Sequence, residues 1–265
     1  MKKVGLALSG GGAYGFAHIG VLQVLEENKI PVSIIAGTSM GALIGGAYAA
    51  GVSIEKMIEI TDKFKRSSFM DINPFLIVNP GLLTGNKVIR LLRTIIGNVN
   101  IEDCKTKFCA IACDLKTSSK VSINSGDIVD AIRASISVPG IFAPVRKNGM
   151  VLIDGGSADN MPVEDAREMG ADVVIASDVC TYYAPQNNLR NVIDVMMSAS
   201  NAMIANQVKY KKDKGDIYLK IDQPTVTQLK FTPEEIKTSI NNGRLVAEAM
   251  LPKIKEILGL KWLNC

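Results

Sequence analysis

The chain has 265 residues, 47% apolar and 21% charged, a balance that indicates a globular protein with a sizeable core. A formal net charge of +4 and an aromatic share of 5% are not the footprint of a nucleic-acid-binding surface. No apolar run approaches the ~20 residues of a membrane span, and the one after Lys2 and Lys3 is too short for a signal peptide.

Val4–Leu8 (VGLAL) reads as a buried strand that runs into Ser9-Gly10-Gly11-Gly12-Ala13-Tyr14-Gly15. Residues 16–27 carry Phe16, Ile19, Leu22 and Leu25 near helical spacing; Asn28 ends the helix and Pro31 blocks its continuation. Residues 32–36 form a second apolar strand, followed at once by Gly37-Thr38-Ser39-Met40-Gly41 and a helical stretch of small and apolar residues. Two strands joined by such a helix imply a parallel β-α-β crossover. Both glycine-rich turns then lie at the carboxyl ends of parallel strands, where open α/β sheets bind ligands.

Ser39 stands at the apex of a strand-turn-helix with Gly37 and Gly41 two positions either side. A serine on a strained turn at a helix N-terminus is expected to be exposed and to sit in a positive field, which suits a nucleophile. Gly10 to Gly15 also fits G-x-G-x-x-G, a dinucleotide fingerprint. That fingerprint needs an acidic residue at the end of the second strand, where this chain has Ala36-Gly37-Thr38-Ser39. Gly10, Gly11 and Gly12 are better read as a backbone cradle whose N–H groups stabilise an oxyanion.

Residues 53–65 predict a helix with Ser53 as N-cap, 67–85 an irregular stretch and 86–96 a further helix with basic Lys87, Arg90 and Arg93 on a solvated face. With Met57, Phe64, Phe69, Met70, Phe75 and Leu76, residues 53–100 are read as a helical cap or insert region that could cover the site and touch lipid, ordinary helix core being the other reading. Residues 107–113 and 120–123 predict strands joined by a polar turn, 127–135 a short helix, and 150–153 a strand that ends in Asp154-Gly155-Gly156. Asn160-Met161-Pro162-Val163 opens a helix; 172–177 and 217–221 predict strands, and 189–211 and 232–257 helices. With no linker or repeat, residues 1–265 are expected to form one α/β domain. Cys104, Cys109, Cys113, Cys180 and Cys265 lack metal-site spacing and are expected to be free thiols in a reducing cytoplasm; Cys265, as the last residue, is no prenylation site.

A Ser-His-Asp triad needs a histidine after the serine, but the one histidine, His18, precedes it and is read as a packed helix residue. Either there is no esterase, or another group activates Ser39; Asp154 could take the proton directly, helped if desolvation raises its pKa.

The order Gly-rich loop, Gly-Thr-Ser-Met-Gly and Asp-Gly-Gly resembles the patatin-like phospholipase family. Arg133-Ala134-Ser135 through Ser137-Val138-Pro139-Gly140-Ile141-Phe142, and Asn160-Met161-Pro162-Val163, agree with it. The resemblance covers residues 4 to about 179. It implies a three-layer α/β/α fold with a mainly parallel central sheet, and hydrolysis of lipid acyl esters by a Ser-Asp dyad through an acyl-serine, without calcium or other cofactor. Carried over, Ser39 is the nucleophile, Asp154 the base, and Gly10, Gly11 and Gly12 the oxyanion donors. Tyr14 departs from the Arg or Lys common at its position, which puts any anion-binding role of that position in doubt. The implied partner is a lipid or acyl-ester substrate, and any membrane contact of this cytoplasmic protein is expected to be peripheral and weak. The competing reading is a non-catalytic adaptor or regulator on the same fold.

Overall fold

The structure is a computed structural model that describes residues 2–62, 71–72, 81–180, 189 and 191–260, the side chain of residue 193 excepted. In chain order the elements begin with β1 (Val4–Leu8), α1 (Ala17–Glu27), β2 (Val32–Thr38), α2 (Met40–Ala49), α3 (Ile54–Asp62) and α4 (Asn86–Ile96). The middle of the chain holds β3 (Lys107–Asp114), β4 (Ser119–Ile123), α5 (Ile128–Ser135), β5 (Val145–Lys147), β6 (Met150–Asp154) and α6 (Val163–Glu168). It closes with β7 (Val173–Asp178), α7 (Val192–Lys209), β8 (Ile217–Lys220) and α8 (Pro233–Leu258).

These strands make an eight-stranded sheet in the order β5-β6-β3-β2-β1-β7-β8, with β4 also on β3. The run β3-β2-β1-β7-β8 is parallel, as strands buried on both faces and joined by helices should be. Alternate residues serve opposite faces. Leu6, Leu8, Ile35 and Phe108 pack with α1, α2, α5 and α8, whereas Ala7, Ile34, Ala36 and Ile111 pack with α6 and α7. This is the three-layer α/β/α arrangement expected from the sequence.

The sheet turns antiparallel at one edge. β4 and β6 run against β3, and β5 against β6. β2 pairs with β3 as far as Thr38 opposite Ile111, so β3 continues past the end of β2 through Ala112, Cys113 and Asp114. β6 pairs with that extension, which sets Asp154 opposite Ala112, one residue beyond the partner of Thr38.

The cap read from the sequence at Ser53 is in place, and Asp127 and Thr232 cap two further helices. Ser53 Oγ accepts from the Lys56 amide (3.2 Å), Asp127 from Asp130 (2.9 Å) and Thr232 Oγ1 from Glu235 (3.3 Å). One expectation fails in part: Arg93 on α4 is not a solvated charge but is paired with Asp127 (2.6 Å) and Asp130 (3.7 Å). Those carboxylates cap and begin α5, so the cation ties α4 to α5. The expected apolar residues Phe64, Phe69, Met70, Phe75 and Leu76, most of the 67–85 stretch, and Cys265 lie outside the described residues.

Candidate active site

Ser39 occupies the corner between β2 and α2 with φ 53° and ψ −120°. A non-glycine residue enters such a conformation at a cost of about 1–3 kcal/mol, so the surroundings must hold it there. The Ser39 N–H donates to Ser135 Oγ (2.8 Å), and that hydroxyl donates to the Ile111 carbonyl (2.5 Å). The flanking glycines are a steric requirement. A Cβ on Gly37 would strike Gly41 and Ala42, and one on Gly41 would strike the Leu8 and Ser9 carbonyls. The face of α2 that carries Gly41, Gly45 and Gly46 therefore lies directly on the sheet and α5, and its opposite face turns away from them.

Asp154 is buried at the end of β6. Its N–H donates to the Ser137 carbonyl (2.9 Å), and its Oδ1 accepts from the Gly156 N–H (2.8 Å). Oδ2 is buried without a well-formed hydrogen bond, although the Ser39 hydroxyl is close enough to act on the carboxyl. Burial pushes this carboxyl up to about 6, against the pull of the Ser39 hydroxyl and the Gly156 amide. A dry carboxyl with a vacant oxygen beside a serine hydroxyl can accept that proton, and a pKa nearer neutrality makes it a better base than an ordinary aspartate.

The glycine loop meets the same corner. A Cβ on Gly10 would press on Ser39 Cβ and the Asn160 side chain. The Gly10 N–H, however, donates to the Asn160 carbonyl (3.2 Å), which corrects the expectation of three equivalent oxyanion donors. Among the described residues no acceptor is found for the N–H groups of Gly11, Gly12 or Met40, so these are the donors left for a ligand. Gly12 has φ +58° and shares a cavity wall with Ser39. Tyr14 is half-buried, and its carbonyl accepts from Gln223 Nε2 (2.8 Å) and Ser239 Oγ (3.0 Å).

His18 lies fully buried beneath the loop. Its Nε2 is 2.9 Å from the Ser9 carbonyl, so that nitrogen carries the proton, and Nδ1 accepts from Ser177 Oγ (3.0 Å). Both ring nitrogens are thus occupied in joining β1 to β7. Burial lowers its pKa to about 4, against the Ser9 hydrogen bond, which keeps the ring neutral at ordinary pH.

The supporting residues were not legible as such in the sequence. Ser135 and Ser137, at and just beyond the end of α5, hold the backbones of Ser39 and Asp154 respectively. Asn160 bridges the glycine loop to α7, where Gln207 Oε1 accepts from its N–H (3.3 Å). Thr38 Oγ1 donates to the Asp159 carbonyl (2.7 Å), and the buried Asp159 carboxylate is paired with Lys211 (2.7 Å). Ser135, Ser137 and Asn160 stood out in the sequence only as parts of segments that agree with the family resemblance, with no role attached. No cluster of three or more His, Cys, Asp or Glu side chains suited to a metal is found among the described residues.

Ser39 opens onto an apolar cavity of about 180 Å³. Met40, Leu43, Ile44 and Ala47 of α2 form one wall, Met57 and Ile60 of α3 and Leu91, Leu92 and Ile95 of α4 another. Phe16, Phe142 and Phe231 lie around it, the first and last in an edge-to-face pair with centroids 6.2 Å apart. Among the described residues no charged side chain lines it.

The chain is 37% identical over 174 residues to an uncharacterised NTE-family protein of Mycobacterium tuberculosis, covering 66% of this chain and 48% of that one. It is 31% identical over 296 residues to the lysophospholipase NTE1 of Scheffersomyces stipitis, covering 96% of this chain and 19% of the yeast protein. The chain thus spans about half, or far less, of the length of these relatives. In fold it is similar to VipD from Legionella pneumophila, with a TM-score of 0.55, 17% identity, and 96% of this chain and 67% of that one covered. The model of the patatin-like phospholipases matches residues 6–167, which hold the glycine loop, Ser39 and Asp154, and the chain belongs to that family.

Proposed function

We propose that the chain is a serine hydrolase of lipid acyl esters that works through a Ser39–Asp154 dyad. The observation that carries this reading is the buried Asp154 carboxyl, its Oδ2 vacant, beside a strained Ser39 that opens onto an apolar cavity. Ser39 Oγ attacks the ester carbonyl as its proton passes to Asp154. The oxyanion that forms takes hydrogen bonds from the Gly11, Gly12 and Met40 amides, with Gly10 giving the close approach its missing side chain allows. Collapse expels the alcohol, which takes the proton back from Asp154 and leaves an acyl-Ser39 ester. Water then gives a proton to Asp154 as it attacks, and the fatty acid leaves with Ser39 restored.

The relatives named as lysophospholipases point to a phospholipid or lysophospholipid as substrate. The described lining fits that reading: among the described residues it offers an acyl chain an apolar wall and a charged head group no charged side chain to pair with. In this scheme residues 53–100 act as a cap, α3 and α4 forming the cavity wall opposite α2. Membrane contact is peripheral, and among the described residues no helix is long and apolar enough to cross a bilayer. An active-site phosphonate should label Ser39 alone, and Ser39→Ala should lose both label and ester turnover. A label mapped to another serine, with Ser39→Ala still turning over, would sink the assignment.

A further inference from the structure

We propose that Ala47 gauges the length of the acyl chain, a reading that rests on the acyl-hydrolase function above. Ser39 at the corner and Met40, Leu43, Ile44 and Ala47 of α2 line the cavity. At 100° per residue these positions fall on one face of the helix, opposite the glycines that seat it on the sheet. The cavity therefore runs along α2 from the nucleophile rather than away from it. Ser39 and Ala47 are separated by about 12 Å of helix rise, at ~1.5 Å per residue. A fully extended chain advances roughly 1.2 Å per bond, so an acyl group on Ser39 reaches Ala47 at about its tenth carbon.

The other α2 residues on this face are long side chains, whereas Ala47 has a single methyl and is itself buried. The space beside it exists because that side chain is short. α3 closes the opposite side with Met57, Ile60 and Thr61, and the Thr61 hydroxyl is turned into its own helix, donating to the Ile58 carbonyl (2.7 Å). Among the described residues, those that line the cavity with Ala47 carry no charged side chain. Each methylene buried there is worth about fourfold in binding. A bulkier residue at 47 should remove that gain for the carbons beyond it and for no others.

The experiment compares wild type with Ala47→Leu on p-nitrophenyl esters from about 4 to about 16 carbons. For chains shorter than about eight carbons, kcat/KM should change less than about threefold, whereas beyond about twelve carbons it should fall at least tenfold, the value of roughly two lost methylenes. Ile60→Phe, at a half-buried position on the facing helix, should shift the profile the same way and covers the case in which Ala47→Leu does not fold. A second readout needs no turnover: saturated fatty acids of the same lengths displace a fluorescent fatty acid from Ser39→Ala, alone and combined with Ala47→Leu. There the long acids alone should lose affinity. An unchanged length profile in folded, phosphonate-labelled variants, or a loss equal at all lengths, overturns the gauge while leaving the hydrolase intact. Absence of ester turnover in wild type would overturn the hydrolase reading, and the displacement series would still decide whether position 47 limits the chain.

Discussion

His18 and Asp154 are both buried, and burial moves them in opposite directions because it disfavours whichever form is charged. The histidine falls from 6.5 to about 4 and the aspartate rises from 3.8 to about 6. At neutral pH His18 is an uncharged strut with both nitrogens in use, and Asp154 is ionised with one oxygen vacant. We expect His18→Gln to keep substantial turnover in the protein that folds, and Asp154→Asn to lose about 10²–10⁴ in kcat. Turnover of wild type should rise with pH through about 6 as Asp154 ionises. The same shift has a consequence for stability. Because the folded pKa is raised above 3.8, the contribution of this carboxyl is fully present below about pH 4 and is lost as pH rises through about 6. Asp154→Asn, which cannot ionise, should then be more stable than wild type by about 1–3 kcal/mol at pH 8, with the gap closing near pH 4. Urea unfolding at the two pH values measures it. An inactive, folded His18→Gln beside an active Asp154→Asn would overturn the dyad.

At the scale of the element, the end of α5 is the brace of the site. Ser135 takes the Ser39 N–H, and the Ser137 carbonyl takes the Asp154 N–H. The buried Arg133 guanidinium donates to Ser137 Oγ (2.6 Å) and to the carbonyls of Thr84 and Ala143 (both 2.8 Å), and it stacks 5.4 Å from the centre of the Phe142 ring. Thr84 precedes α4 and Phe142 lines the cavity, so one helix end touches the nucleophile, the base and the cavity rim. Ser135→Ala would leave a buried N–H and the Ile111 carbonyl unpaired, at a cost of about 1–3 kcal/mol. Because the unpaired amide belongs to Ser39, kcat should fall about tenfold or more with KM little changed. Ser135→Thr, which keeps the hydroxyl, should recover part of the loss. A packing role alone would lower the melting temperature and leave the kcat of the folded protein unmoved.

At the scale of the whole molecule, residues beyond the family match complete the sheet and cover its core. β7 pairs with β1 along its full length, and Ser177 on β7 holds His18. α8 crosses α1 where Gly20 faces Ile240 and Arg244, and Gly243 faces Ala17; a Cβ at either glycine would strike the other helix's backbone. We therefore expect the chain to unfold as one unit. Gly243→Ala should push α8 off α1 and cost about 1–3 kcal/mol. The loss should appear at the same midpoint in circular dichroism and in phosphonate labelling of Ser39. Separate midpoints would show that α8 is an independent piece.

Elements whose causes are local could be read along the chain. Continuous apolar runs marked β1, β2, β3 and β7 because strands covered on both faces need no polar side. Ser53, Asp127 and Thr232 marked helix starts, and the Gly37-Thr38-Ser39-Met40-Gly41 corner was legible because only glycine fits where β2 and α2 close on each other. Asp154 was legible as a carboxylate at a strand end, but not the means of its delivery. That depends on β3 outrunning β2 and on β6 running against it, a matter of register between strands about forty residues apart in the chain. The occupied Gly10 amide, the Arg93 pair and the brace from α5 were equally hidden. Each depends on an acceptor brought from a distant segment, and hydrogen-bond partners and burial are set by tertiary packing, which neighbours in sequence do not encode.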